Sequence, residues 1–133
     1  MVSMQASEPS KLAVIGKRLP EVHYQKLLQQ QFGGYREVKL PFGRPDLVTD
    51  NPSYVWEVEP AARWRHGASQ VLSYAAQVES SPDLALYGDA QSKEVLDIYL
   101  GLCEIKTPIA LWWWDQVCWK SIDSRQACCS MKL

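Results

Sequence analysis

Apolar residues recur along this chain in two spacings, helical in some stretches and alternating or unbroken in others, and the two take turns. Pro20 suits a first helical position, and Glu21 to Gln31 carries Val22, Leu27 and Leu28 among good helix formers, which predicts a first helix. Gly33-Gly34 stops it. Tyr35 to Phe42 alternates, with Arg36, Val38, Leu40 and Phe42 on one side, and reads as a first strand. Asp46 to Thr49 is a second strand, Asp50 to Ser53 a tight turn, and Tyr54 to Glu59 a third strand ended by Pro60. A second helix begins at Arg63 or Gly67 and ends at Val78, its apolar stripe being Ala68, Val71, Leu72, Ala75 and Val78. Pro82 precedes a short strand, Leu84 to Tyr87. Ser92 to Leu102 reads as a helix, Ile109 to Trp114 as a buried strand, and Val117 to Ile122 as its hairpin return across Asp115-Gln116. The order αβββαβαβ, with the added hairpin, predicts an α/β (α+β) fold in which helices flank a central mixed sheet.

Residues 20–123 hold this pattern and form the expected domain. Residues 1–19 read as an N-terminal extension, with a frayed start and an apolar Leu12 to Ile15 that suits a short strand or a helical turn. Residues 124–133 read as a polar tail. At 133 residues the chain is long enough for a sizeable core, and its 47% hydrophobic and 22% charged content is ordinary for a globular domain. The net charge of −1 advertises no polyanion partner, so any nucleic-acid binding must rest on a local basic patch. With no long apolar run and no secretory leader pattern, the expected location is the cytoplasm, without membrane contact. Cys103, Cys118, Cys128 and Cys129 include no C-x-x-C pair, and reduced thiols are the expectation.

The chemistry lies in the acids. Asp46 opens one apolar strand, and Glu57 and Glu59 stand near the end of the next. Strand side chains alternate, so Glu57 and Glu59 share a face. If the two strands pair as a hairpin, Asp46 joins them. Clustered carboxylates repel unless a cation neutralises them, and hard oxygen donors suit Mg²⁺, with Mn²⁺ as a substitute. A solvated sheet edge is the alternative, but Asp46 and Glu57 sit inside apolar runs, where an unpaired acid is costly.

Pro45-Asp46, Glu57-Val58-Glu59 and the Q-x-x-x-Y series Gln70 to Tyr74, in that order on those elements, resemble the PD-(D/E)XK nuclease superfamily. The likeness spans Glu21 to Trp114, and its Q-x-x-x-Y pattern resembles the motif of RecB-like and lambda-exonuclease-like members. It implies a restriction-endonuclease-like core and a divalent-metal-dependent deoxyribonuclease, acting as an endonuclease. In that reading Asp46, Glu57 and the Val58 carbonyl hold the ion, Glu21 on the preceding helix supports a second ion or a bound water, and Gln70 assists. Glu59 stands where the family pattern has lysine. Some restriction enzymes of the fold also place glutamate there; a displaced cation (Lys39, Arg63 or Arg65) or a silent relative that only binds DNA or protein are the other readings. Glu59 itself is a candidate general base.

Arg63-Trp64-Arg65-His66 is the densest basic and aromatic cluster, suited to gripping phosphates, although Trp64 equally suits a cap on the core. Arg44, Lys39 and Tyr74 complete the candidate DNA contacts, and His66 reads as a surface residue. Trp112-Trp113-Trp114 is either a strand buried on both faces or a dimer interface, since aromatics are enriched at interfaces.

Overall fold

The computed structural model describes residues 19–50, 53–88, 92–105 and 108–122. Within it the elements run α1 (Glu21–Phe32), β1 (Tyr35–Arg36), β2 (Leu47–Asp50), β3 (Ser53–Pro60), a 3₁₀ turn (Ala61–Arg63), α2 (Trp64–Val78), β4 (Ser81–Tyr87), α3 (Ser92–Cys103), β5 (Ala110–Trp114) and β6 (Trp119–Ile122). The strands form one mixed sheet in chain order, with β3, β4 and β5 parallel and every other neighbouring pair antiparallel. This is an α/β fold, as the patterning predicts. The extension before Leu19, the centre of the β2–β3 turn and the tail after Ile122 lie outside the described residues.

The sheet has an apolar cluster on each face. Tyr24 and Leu28 of α1 pack with Leu47, Trp56, Val58, Ala85, Tyr87 and Trp119. Ala68, Val71, Tyr74 and Ala75 of α2, with Ile98 and Leu102 of α3, pack with Val55, Leu84, Leu86 and Leu111. Glycine at position 67 decides how close α2 comes to β3. A β-carbon there would lie 2.7 Å from Cγ of Glu59 and 2.7 Å from Cδ1 of Leu84. The helix therefore approaches the end of β3 more closely than any side chain would permit.

One predicted strand fails. Tyr35 to Phe42 keeps only Tyr35–Arg36 as strand, because Glu37 turns to φ 52° and Leu40 to Gly43 closes a tight turn. Pro41 and Gly43 are turn formers, and they override an alternation that had no ladder to sit in. In contrast, β4 starts earlier than predicted, at Ser81. Pro82 is tolerated because the β5 ladder opens only at Asp83.

The tryptophan run is accounted for within the chain. Trp112 packs against Phe32 (ring centroids 4.9 Å) and Trp56 (5.4 Å), and Trp114 against Trp119 (5.4 Å). Trp113 packs on the α2–α3 side. Both faces of β5 thus carry neighbours within the chain, and each of the three tryptophans is half-buried. Among the described residues no helix is long and apolar enough to cross a membrane. The reduced thiol expected at every cysteine holds for Cys118, whereas Cys103 is disulfide-bonded.

Candidate functional site

The end of β3 and the start of β2 bring the three predicted acids together. In the hairpin register Leu47 faces Trp56, so Asp46, one step earlier, falls at the level of Glu57, and its carboxylate Oδ2 reaches on to accept the Val58 N–H at 2.7 Å. A strand residue's N–H and C=O point to the same side. The Val58 carbonyl therefore faces the gap where β2 has ended. Glu57 and Glu59 project from the α2 side of β3, flanking Val58. All three acids are buried: Asp46 is 7% exposed, and Glu57 and Glu59 are each 5% exposed.

The fourth acid arrives from α1. Gln25 is buried and donates to Asp46 Oδ1 at 2.8 Å, and its amide also lies 3.4 Å from Glu21 Oε2. Sequence reading missed Gln25. Its signal was present all the same, since it sits four residues after Glu21 on the same helix face.

Electrostatics set the protonation of this group. Burial raises Asp46, Glu57 and Glu59 above the usual carboxylate range, and the neighbouring acids raise each further. Glu59 is pushed up to about 7, chiefly by burial and then by Glu21, with Arg63 opposing. Asp46 and Glu57 are joined by a hydrogen bond that raises Glu57 and lowers Asp46. Glu57 is thereby raised further than Asp46 and is the first of the pair to take up a proton. Burial also raises Glu21, against its bond from Gln25 and the positive charge of Arg63.

Among the described residues, no group of three or more acidic, histidine or cysteine side chains stands arranged to hold a metal ion. The donor chemistry nevertheless fits a hard cation. Glu57 Oε2 and Glu59 Oε1 are buried and accept no hydrogen bond, beside a carbonyl and two further carboxylates.

The remaining predicted residues divide. Gln70 Oε1 accepts the Tyr74 hydroxyl at 2.6 Å, but the Tyr74 ring is part of the core rather than an exposed DNA contact. Positions 67, 71, 74 and 75 share one side of the helix, which makes that side both the packing face and the approach to the acids. Of the three candidates for a displaced cation, Arg63 is the one placed at the acids, its Nε 3.9 Å from Glu59 Oε1. Arg65 stacks over the Trp64 ring at 4.6 Å, and Trp64 packs against Gly101 of α3, as a cap on the core would. Lys39 and Arg44 are exposed and flank the Leu40–Gly43 turn instead of lying on a strand. His66 is exposed and is an electrostatic neighbour of Glu21.

Comparison of the chain with protein-family models, with curated proteins and with solved structures gives no match.

Proposed function

We propose that the chain is a divalent-metal-dependent deoxyribonuclease of the PD-(D/E)XK, restriction-endonuclease-like kind, cutting phosphodiester bonds within DNA. One observation carries the reading: Asp46, Glu57 and Glu59 converge in a buried site where two carboxylate oxygens accept no hydrogen bond. An acid cluster that served only packing would leave fewer costs unmet, since each unsatisfied buried oxygen costs about 1–3 kcal/mol.

Asp46, Glu57 and the Val58 carbonyl would hold Mg²⁺ or Mn²⁺, with Glu21 nearby through Gln25. The ion, when bound, supplies charge neutralisation at the phosphate and acidification of a water. The other steps belong to side chains. Glu59, with a carboxyl near neutrality, takes the proton of the attacking water at Oε1. Arg63, on the rim beside it, balances charge developing on the phosphate, the task that lysine has in the family pattern. Gln25 fixes the Asp46 carboxylate, and Tyr74 fixes the Gln70 amide oxygen.

A second reading has its own observation. Among the described residues the cation set beside the acids is Arg63, 59% exposed by side chain, and Glu59 occupies the lysine position. Such a site suits a silent relative that binds DNA without cutting it. The test is cleavage of plasmid and branched DNA with Mg²⁺ or Mn²⁺, alongside calorimetry of ion uptake, with Asp46→Ala as control. Metal-dependent cutting lost in the control supports the nuclease. DNA retardation without cutting supports the silent relative, and the absence of ion uptake and of both DNA activities removes both readings.

A further inference from the structure

The Leu40–Gly43 turn presents an aromatic ring to solvent from a backbone that is held on several sides. The Leu40 N–H donates to the Gly43 carbonyl at 2.9 Å, closing the turn. Gln77 of α2 clasps Phe42 at both backbone groups: the Phe42 N–H donates to Oε1 at 3.0 Å, and Nε2 donates to the Phe42 carbonyl at 3.1 Å. Leu40 packs into the α2–α3 core, and Gly43, at φ 106°, lies so close under Tyr74 that a β-carbon there would come within 2.6 Å of the ring. Leu40, Gly43 and the Phe42 backbone are thus held in place. Yet the Phe42 side chain is 77% exposed.

An exposed loop aromatic ordinarily turns inward or is left on a loose segment. Burying a phenylalanine is worth about 1.5–3 kcal/mol, which this turn forgoes while holding the backbone fixed. The surroundings indicate the class of partner. Lys39 and Arg44, both exposed, bracket the turn, and no acid lies between them. The turn is continuous with the acid site, because the Arg44 backbone hydrogen-bonds the Tyr74 hydroxyl and Asp46 follows two residues later. An apolar ring between cations, at the rim of a carboxylate site, matches a nucleobase flanked by its phosphates.

We propose that Phe42 is a stacking wedge that engages an unpaired base of the DNA, so that the preferred substrate carries an open base (an end, overhang or mismatch). The proposal rests on the nuclease reading for its choice of DNA. Magnitudes favour the open base. Stacking a base on an aromatic ring is worth about 1–3 kcal/mol, whereas prising apart an intact step costs a few kcal/mol, so a fully paired duplex returns little or nothing.

The test compares three DNAs: a blunt duplex, the same duplex with a short single-stranded overhang, and one with a single mismatch. Each carries 2-aminopurine at or beside the open position, and affinity and fluorescence are read together. The unmodified chain should bind the open-base DNAs more tightly and quench the 2-aminopurine. Phe42→Ala should lose about 5- to 150-fold in affinity for the open-base DNAs and the quenching with it, while its affinity for the blunt duplex changes less than about twofold. Phe42→Trp should keep both properties. Equal binding of open-base DNA by Phe42→Ala and the unmodified chain overturns the proposal, as does equal loss on all three DNAs. Cutting that persists beside either of those results leaves the nuclease reading intact. Phe42-dependent quenching without metal-dependent cutting does the reverse, retaining the wedge and removing the nuclease.

Discussion

Asp83 and the group formed by Asp46, Glu57 and Glu59 are buried acids of the same sheet, and their surroundings differ. Asp83, 2% exposed, lies on the α1 side of β4, where Trp112 Nε1 donates to its Oδ2 at 2.8 Å. That bond ties β4 to β5 across the tryptophan cluster, and the carboxylate serves the packing around it. At the β2–β3 end several acids press on one another, and each is raised further above the usual carboxylate range by its neighbours. Burial alone therefore does not mark a site. What marks it is like charges brought together at a cost that packing does not offset.

The largest effect expected follows directly. Asp46→Ala or Glu57→Ala should lower metal-dependent cleavage by at least about 100-fold, and Glu57→Ala, which takes no partner from a backbone N–H, should retain or raise thermal stability because a repelling buried acid has gone. Asp83→Ala should do the opposite: cleavage is kept, and stability falls by about 1–3 kcal/mol as the Trp112 N–H loses its partner. Cleavage assays and thermal unfolding of the three variants check both halves. A stability loss at Glu57 matching that at Asp83 would erase the distinction between the two regions.

Gln25→Ala sharpens it by leaving every acid in place. The amide that orients Asp46 disappears, and supports of this kind are typically worth about 10- to 100-fold in metal affinity or activity. The expected result is weaker calorimetric uptake of Mn²⁺ at unchanged stoichiometry, and unaltered affinity would reduce Gln25 to packing.

The pH dependence of the metal-free protein gives a smaller effect of definite sign. Glu59 rises from an ordinary 4.5 to about 7 on folding, so the native state binds more protons than the unfolded one. The stability this contributes is fully present below pH 4.5 and is lost as pH rises through about 7, with Asp46 and Glu57 acting in the same direction. Unfolding midpoints should fall between pH 5 and pH 8 in chelator, and Mg²⁺ or Mn²⁺ should recover the loss. A midpoint that stays flat, or climbs, would mean that the acids are not strained by one another.

Much of this was legible in the sequence because local signals agreed with the tertiary outcome. Glycine and proline punctuate α1 and β3 where they end, and the alternation in Glu57-Val58-Glu59 fixed which acids share a face. The failures also have local causes. Tyr35 to Phe42 satisfies the strand period, but Pro41 and Gly43 force a turn whose importance lies in contacts with Tyr74 and Gln77, more than thirty residues away in sequence. Tyr74 belongs to the polar series Gln70 to Tyr74 and is nonetheless in the core, since helix rotation places it beside Val71 and Ala75. Asp83 gave no warning because its partner is a tryptophan 29 residues onward.

Arg63 provides the finest test, since it is the cation that the structure sets beside the acid group, and its effects on DNA and on the acids can be separated. If it grips one phosphate, Arg63→Ala should weaken DNA binding and reduce the magnitude of the slope of log affinity against log salt by about 0.9. An unchanged slope would take it off the contact surface. The same substitution removes the positive charge that holds Glu59 down, so the Glu59 carboxyl should rise above about 7, and the pH-dependent fall in metal-free stability should extend to higher pH and grow deeper. Arg63→Lys keeps the charge but not the planar fork, and should restore most of both effects. A shifted pH profile with an unchanged salt slope would assign Arg63 to tuning Glu59, and a changed slope with an unshifted profile would assign it to DNA alone.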